Sequence, residues 1–378
     1  MLHVRFPGVL RPLVVFLGIG VAFVGADAAA IAASLQVPPP AGASSLVPGA
    51  VRTEVAAQKK SSTSKRRVSQ ASRARQARLA RARAAARARQ LRELAQPRFK
   101  LNERGDLVPD VRAAAAIIYN PETDQVLWES NSQDPRSIAS ITKVMTAAVV
   151  LEAHPDLQRT VTITRQDVAR ANHTYLRAGE KVTIDDLLHL TLIASDNAAA
   201  RALARTSPLG TERFIDRMNE KAAELGLEQT SYADPSGLDP RNVSSAYDMA
   251  RLIAFAASDE RLSSIMRKPH HTILTNRRAL NINNTNRLLG SEDVDVRGGK
   301  TGFISKAGYC LATLLRLPQT NQQVAVVVLG ATSSAGRFWE TRHLFNWLAS
   351  QTQSLNMLTA TPAVGGVAVQ TTASSVQE

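Results

Sequence analysis

The amino-acid sequence predicts an α+β fold, in which an antiparallel sheet built from both ends of the globular region packs against a cluster of helices. Apolar runs that flank short polar turns, a pattern typical of β-hairpins, occur both early and late in the chain. Amphipathic helical patterns fill the region between them. The regular alternation of strand and helix that builds a parallel sheet is absent. With 378 residues, 44% of them hydrophobic, the chain can bury one large core and still carry tails.

The first hairpin is predicted in AAAAIIYNPETDQVLWES, where two apolar runs flank a polar turn at residues 120–124. The second consists of GYCLATLLRL and QVAVVVLGA, joined by the turn PQTNQ. Cys310, the only cysteine, lies in this second hairpin, so we expect a small core residue and no intramolecular disulfide. The segment RGG before Lys300 is interpreted as a turn. Helical patterns are predicted at residues 140–153, 184–206, 211–225, 245–257 and 334–349.

The first 28 residues have the pattern of a cleavable export signal. Arg5 and Arg11 precede a short apolar run, PLVVFLGIGVAFVG, and the small-residue pattern Ala26-Asp27-Ala28 follows it. That run is shorter than the roughly 20 residues that a membrane-spanning helix needs. We therefore expect the protein to be exported from the cytosol and the signal peptide to be removed; a retained membrane anchor is the alternative.

The net charge of +14 resides in one segment. Between Lys59 and Lys100 the chain has 15 Lys and Arg and a single acid, Glu93, while the rest has 31 residues of each sign. Because the protein is exported, we expect no nucleic acid as a partner. The tract is either a solvated, partly helical tether or a polycation that contacts anionic components of the envelope. The predicted organisation is a signal peptide (1–28), an Ala/Pro/Ser linker (29–58), the Arg/Ala-rich basic tract (59–96), a globular domain (97–350) and a disordered tail (351–378).

Ser140 and Lys143 begin the predicted helix SIASITKVMTAAVVLE, and Lys143 is its only charge before Glu152. Residues at positions i and i+3 of a helix lie on one face. A serine hydroxyl becomes a nucleophile when a neighbouring base removes its proton, and a buried lysine can be neutral and serve as that base. One S-x-x-K motif is a weak signal, because it occurs by chance in many proteins.

Two further motifs follow in order. Ser195-Asp196-Asn197 lies in LIASDNAAARAL, and Lys300-Thr301-Gly302 lies in VRGGKTGFISKAGYC. The ordered set S-x-x-K, S-D-N and K-T-G is shared by penicillin-binding proteins and class A β-lactamases. Over residues 105–350 the chain resembles the low-molecular-mass penicillin-binding proteins, the D-alanyl-D-alanine carboxypeptidase and endopeptidase family. The flanking phrases SGLDPRNVSSAYDMARL and NTNRLL add to this resemblance.

The resemblance implies a β-lactamase/DD-peptidase-like fold and a serine DD-peptidase that acts on peptidoglycan stem peptides and is acylated by β-lactams. For an exported enzyme of this family, it implies a periplasmic location. It implies that Ser140 is the nucleophile, that Lys143 is its base, and that Ser195 relays a proton to the leaving amine. The implied substrate-binding residues are Asn197, Lys300, Thr301, Gly302 and Phe303. Asn197 would bind the substrate amide, and Lys300 and Thr301 would bind its carboxylate, with Lys300 also helping to keep Lys143 neutral. Gly302 would admit the substrate backbone beside an edge strand, and the N–H groups of Ser140 and Phe303 would form the oxyanion hole.

Three alternative functions can be compared with the sequence. A class A β-lactamase needs a glutamate followed four residues later by asparagine, but Glu224 and Glu228 are followed at that spacing by Glu228 and Tyr232. Carboxypeptidases of the family usually carry a second β-domain and an amphipathic anchor, whereas here a polar tail follows Ser350, which favours a D-alanyl-D-alanine endopeptidase over a carboxypeptidase. A catalytically silent wall-binding scaffold has no need to keep all the motif residues. The seven histidines show no metal-binding spacing, and we expect neither a metal nor a cofactor.

Overall fold

A computed structural model describes residues 54–359 of the protein, with side chains in most of the range from Ser72 to Thr352. The predicted signal peptide, most of the predicted linker and residues 360–378 lie outside the described residues. The chain divides into two units, Met1–Gln76 and Ala77–Glu378. No helix within residues 54–359 is long and apolar enough to cross a membrane.

The basic tract is helical. Helix α1 spans Glu54–Ala95, so its first five residues fall in the segment predicted to be linker. Ala, Arg, Gln and Leu favour helix, and the segment has no proline or glycine before Pro97. The side chains that are described along α1 are exposed to solvent. Among its described side chains, Arg89 and Glu93 form an exposed ion pair within the helix, at 3.3 Å.

The main sheet has five antiparallel strands in the order β11-β12-β13-β3-β4, so that β11 lies at one edge. Strands from both ends of the globular region meet where β13 pairs with β3, which confirms the predicted α+β architecture. The remaining strands form two-stranded pairs. The strands are β1 Phe99–Leu101, β2 Leu107–Pro109, β3 Ala115–Asn120, β4 Gln125–Ser130, β5 Arg136–Ser137, β6 Thr160–Thr162, β7 Lys181–Thr183, β8 Val243–Ser244, β9 His270–Leu274, β10 Ala279–Asn283, β11 Asp295–Ile304, β12 Gly308–Arg316 and β13 Gln323–Ala331.

Helices cover both faces of this sheet. Alternate residues of β13 face opposite sides, and both sets are buried: Ala325 and Val327 pack against the helical cluster, whereas Val324 and Val326 pack toward α9. Cys310 is buried within the first of these clusters and has a free thiol. After α1 the helices are α2 Thr142–Glu152, preceded by a 3₁₀ turn at Ala139–Ile141, then α3 Arg165–Val168, α4 Ile184–Leu192, α5 Asn197–Thr206, α6 Gly210–Glu224, α7 Ala246–Ser258, α8 Glu260–Met266 and α9 Gly336–Thr359.

Both predicted hairpins are confirmed, as β3–β4 and β12–β13, and the predicted helices at 140–153, 211–225 and 245–257 correspond to α2, α6 and α7. The single helix predicted at 184–206 is wrong, because the chain turns between α4 and α5. The turn predicted at RGG is also wrong, since these residues belong to β11. Helix α9 continues to Thr359, so the first nine residues of the predicted tail are helical; no proline or glycine interrupts the chain between Gly336 and Pro362.

Candidate active site

Ser140 lies on the 3₁₀ turn that leads into α2, and Lys143 lies in the first turn of that helix. Helix α2 passes through the middle of the helical cluster, and ten of its eleven residues are buried. Lys143 is therefore 0% exposed. Its Nζ lies 3.0 Å from Ser140 Oγ, 2.6 Å from Asn197 Oδ1 and 2.5 Å from the carbonyl oxygen of Ser236. The lysine thus connects the candidate nucleophile to two other segments of the chain.

Burial lowers the pKa of Lys143 to about 7, because the ammonium ion loses its hydration in the protein interior. The positive charge of Arg201 lowers this pKa further, while the negative charges of Asp234 and Asp196 act against the shift. Near neutral pH a large fraction of Lys143 is therefore uncharged. In that form its nitrogen lone pair can accept the proton of the Ser140 hydroxyl at 3.0 Å.

The Ser195-Asp196-Asn197 motif forms the turn between α4 and α5. Ser195 has a φ of +60°, in the left-handed region that a residue with a Cβ seldom occupies. Asp196 holds this turn, because one carboxylate oxygen caps α5 at the N–H of Ala199 and the other accepts from Thr174 Oγ1 and Tyr175 N. The turn brings Ser195 and Asn197 to the same cleft as Ser140.

Lys300-Thr301-Gly302 lies on β11, the edge strand of the main sheet. The outer edge of this strand runs along the cleft. Lys300 is 1% exposed, and its Nζ donates to Ser195 Oγ at 2.8 Å and to the carbonyl oxygen of Thr301 at 3.0 Å. Burial holds the pKa of Lys300 well below its usual range, and the charge of Lys143 adds to this effect. The two ammonium groups disfavour each other's charge, and Arg201 also lowers the pKa of Lys143.

Two glycines allow the backbone to approach the nucleophile closely. A Cβ at Gly302 would lie 2.6 Å from the carbonyl oxygen of Ile138 and 3.2 Å from the backbone nitrogen of Ser140. A Cβ at Gly237, where φ is +78°, would lie 2.1 Å from the carbonyl oxygen of Ala139. Edge strand and loop therefore hold the turn that carries Ser140 from two sides, and neither position has room for a side chain.

Arg337, on α9, also lines the cleft, although no sequence motif identified it. It is 8% exposed, and its Nη1 donates to the carbonyl oxygen of Gly302 at 3.0 Å and to that of Cys310 at 3.3 Å. The C=O and N–H of a trans peptide point in opposite directions, so this contact also fixes the direction of the Phe303 N–H. No carboxylate among the described residues pairs with Arg337, and burial lowers its pKa to about 10.

The cleft is a cavity of about 780 Å³. Six of the eight predicted site residues line it, and the other two, Lys143 and Lys300, lie behind it in contact with Ser140 and Ser195. The structure therefore brings together all eight. The residues that line the cavity are Ser140, Arg170, Asn172, His173, Ser195, Asn197, Arg201, Leu238, Thr285, Thr301, Gly302, Phe303, Ile304, Ser305 and Arg337.

This arrangement can carry out acyl transfer. A hydroxyl touches a buried amine of lowered pKa, a second hydroxyl touches a second buried amine, and the backbone of an edge strand lies beside the nucleophile. Residues 102–333 match the protein family described as D-alanyl-D-alanine carboxypeptidase. The chain belongs to this family. It is a serine DD-peptidase, as the resemblance of its motifs implied.

Individual DD-peptidases are also similar to this chain in sequence and in structure. Over 261 residues the chain is 32% identical to a D-alanyl-D-alanine endopeptidase of Pseudomonas aeruginosa, covering 68% of this chain and 82% of that one. It is 30% identical over 249 residues to a D-alanyl-D-alanine carboxypeptidase of Bacillus subtilis, covering 63% of this chain and 62% of that one. A variant of a Streptomyces DD-transpeptidase superposes with a TM-score of 0.60 at 29% identity, covering 64% of this peptidase and 98% of that structure. The predicted fold is thereby confirmed.

Proposed function

We propose that this DD-peptidase is a periplasmic D-alanyl-D-alanine endopeptidase, which cleaves cross-links between peptidoglycan stem peptides through an acyl-enzyme on Ser140. The observation that carries the proposal is the contact of Ser140 Oγ with the Nζ of Lys143, a buried amine of lowered pKa, beside the edge strand β11. The relative named as an endopeptidase is matched over 82% of its own length and the one named as a carboxypeptidase over 62%. This difference supports the endopeptidase assignment.

In the acylation step, Ser140 Oγ bonds to the carbonyl carbon of the penultimate D-alanyl residue while its proton passes to neutral Lys143 Nζ. The carbonyl oxygen becomes an oxyanion that accepts from the backbone N–H groups of Ser140 and Phe303. The C–N bond then breaks, and the departing amine needs a proton. Ser195 Oγ accepts from Lys300 Nζ at 2.8 Å, so Ser195 can give its O–H proton to that amine and take a replacement from Lys300, which is left neutral. Water then attacks the ester carbon. The proton that the water loses returns to Lys300, and Lys143 gives its proton back to Ser140 Oγ as the ester bond breaks.

The other motif residues bind the substrate. Strand β11 has a free edge along the cleft, so an extended peptide can add to it as a further strand. Asn197 would bind the peptide amide, while Thr301 and Lys300 would meet the carboxylate of the residue after the scissile bond. Arg337 lies next to Gly302 without a carboxylate partner among the described residues, and a substrate carboxylate would supply one. β-Lactams would acylate Ser140 by the same route.

The products formed from defined muropeptides test the proposal. We expect the purified enzyme to convert a cross-linked tetrapeptide dimer into two monomers without releasing free D-alanine, because the bond that breaks joins D-alanine to diaminopimelate. Mass spectrometry of the products and an assay for free D-alanine would distinguish the reactions, with enzyme pretreated with benzylpenicillin as the control. Release of D-alanine from a pentapeptide monomer, with the dimer left intact, would instead establish a carboxypeptidase. An intact dimer and an intact monomer would favour the scaffold.

The basic tract is the second part of the proposal. Its described arginines are exposed on α1, and a positively charged helix of this kind can attract anionic polymers or lipid head groups of the envelope. Export through the N-terminal signal would place the tract in the compartment where such partners occur. The relevant residues of the signal lie outside the described part of the chain, so this assignment depends on the sequence pattern.

Neutralising the tract should weaken binding to purified sacculi and leave hydrolysis of a soluble dimer unchanged. Changing Arg73, Arg75, Arg78, Arg81 and Arg83 to glutamine keeps the length and the helix-forming composition of α1 while removing five charges. We expect sacculus binding at low salt to fall about tenfold, and the difference to disappear near 1 M salt, where the Debye length is about 3 Å. Equal binding of the two proteins in low-salt pelleting assays would contradict the tether.

A further inference from the structure

One wall of the active-site cavity is rich in arginine. Arg170 and Arg201 line it together with Asn172 and His173, and Arg337 lies in the same lining. None of the residues that line the cavity is an aspartate or a glutamate. A concave site with several guanidinium groups and no carboxylate is suited to a ligand with more than one negative charge.

The segment that carries Arg170 is held in place by two arginines of α5. Arg205 pairs with Asp167, with Nε–Oδ1 and Nη2–Oδ2 distances of 3.0 and 2.7 Å, and Asp167 is only 3% exposed. Asp167 also forms a capping box with Thr164 at the start of α3. Arg201, one helical turn before Arg205, donates from Nη1 to the carbonyl oxygen of Ala169 at 2.7 Å. These contacts fix the backbone on the N-terminal side of Arg170.

Arg170 differs from these neighbours because its side chain is exposed and no described residue pairs with it by a hydrogen bond or an ion pair. Its backbone has a φ of +50°, a conformation that costs a residue with a Cβ about 1 kcal/mol or more. The fold thus places an unpaired guanidinium on the cavity wall at a strained position, directly after the Ala169 carbonyl that Arg201 holds. Arg201 holds the segment through Nη1 and Arg205 through Nε and Nη2, whereas all the donors of Arg170 are available to a ligand.

We propose that Arg170, positioned by Arg201, binds a second carboxylate of the substrate, distinct from the one that meets Thr301, Lys300 and Arg337. This inference rests on the proposed endopeptidase function. A cross-linked dimer has a diaminopimelyl residue on each strand, so carboxylates beyond the one next to the scissile bond are present on both the donor and the acceptor strand. A planar guanidinium matches a carboxylate with two parallel hydrogen bonds, and a lysine cannot reproduce that geometry. Arg170 would therefore select cross-linked, carboxylate-bearing peptides.

The test combines Arg170→Gln with dimers in which this second carboxylate is amidated, on the donor strand in one substrate and on the acceptor strand in the other. With the unmodified dimer, we expect Arg170→Gln to lower kcat/KM about 5- to 20-fold. A loss of this size is expected when one partly exposed pair of hydrogen bonds between a guanidinium and a carboxylate is removed. With the dimer that lacks the recognised carboxylate, wild type should show a similar loss and the variant little further loss. Whichever amidated dimer behaves in this way identifies the strand. Arg170→Lys should recover only part of the activity.

Arg165→Gln is the matched control, because Arg165 lies five residues earlier in the same segment, is exposed and does not line the cavity. We expect it to retain wild-type kcat/KM, and melting temperatures of both variants should equal that of wild type. An equal loss on all three dimers in Arg170→Gln, or no loss on any, would overturn the carboxylate subsite while leaving the endopeptidase function intact. If wild type cleaves no dimer but is acylated by benzylpenicillin, the proposed function itself fails.

Discussion

Replacing Ser140 with alanine should abolish the covalent adduct with benzylpenicillin and lower turnover of a muropeptide dimer by about 10⁴-fold or more. The structure gives two reasons. Ser140 Oγ is the only hydroxyl at hydrogen-bonding distance from Lys143 Nζ among the described contacts, and the turn that carries it is held against β11 through Gly302. Intact mass of wild type and variant after incubation with benzylpenicillin measures the adduct directly. Ser258→Ala is a suitable control, since that exposed serine lies on α7 away from the cavity.

The pH dependence of the same adduct tests the role of Lys143. Burial lowers its pKa to about 7, and only the neutral amine can accept the serine proton. The second-order rate of acylation in wild type should therefore fall about tenfold for each pH unit below about 7 and level off at higher pH. Acylation of Ser140→Ala would overturn the assignment of the nucleophile. A rate that does not change between pH 5 and pH 8 would overturn the assignment of Lys143 as the base.

The three ordered motifs, and the family resemblance that they carry, led to the eight predicted residues of the site. What the spacing could not give is how distant segments complete the site. The carbonyl oxygen of Ser236 contacts Lys143 across 93 positions of sequence, and Arg337 reaches Gly302 across 35. Such contacts depend on the packing of whole helices against the sheet. No local pattern around Ser236 or Arg337 encodes them.

The errors in the predicted elements have the same origin. Apolar residues at helical spacing stand on both sides of Ser195-Asp196-Asn197 in LIASDNAAARAL, so the segment 184–206 has the pattern of one helix. The break at Ser195 depends on Asp196, whose carboxylate accepts from Thr174 and Tyr175, about twenty residues earlier in the chain. Local propensity favours a helix there, and these tertiary hydrogen bonds override it.

Gly302→Ala is expected to have a large effect, because Gly302 and the two glycines of RGG, Gly298 and Gly299, each lie on β11 where another element approaches closely. A Cβ would contact Met266 and Ala257 at Gly298, Asn286 and Thr313 at Gly299, and the backbone of Ile138 and Ser140 at Gly302. Glycine weakens a strand in general, but a close approach of backbone requires it.

The three positions differ in what an added methyl group would displace, and this difference decides the prediction. At Gly302 the methyl group would lie 2.6 Å from the Ile138 carbonyl oxygen and 3.2 Å from the Ser140 nitrogen, so it would move the nucleophile turn away from β11. We expect Gly302→Ala to lower the acylation rate by about 10²- to 10³-fold, comparable to the loss of one oxyanion-hole donor.

Gly298→Ala provides the control on the same strand, because its nearest contacts are the side-chain atoms Met266 Cε and Ala257 Cβ, at 3.1 and 3.2 Å. The flexible Met266 can move, so this change should cost about 1 kcal/mol of stability and leave the acylation rate within a few-fold of wild type. Stopped-flow acylation with a chromogenic β-lactam, together with thermal melting, would separate the two effects. If both variants slow acylation equally, the loss reflects strand packing in general, and the proposed contact between Gly302 and the Ser140 turn does not set the oxyanion hole.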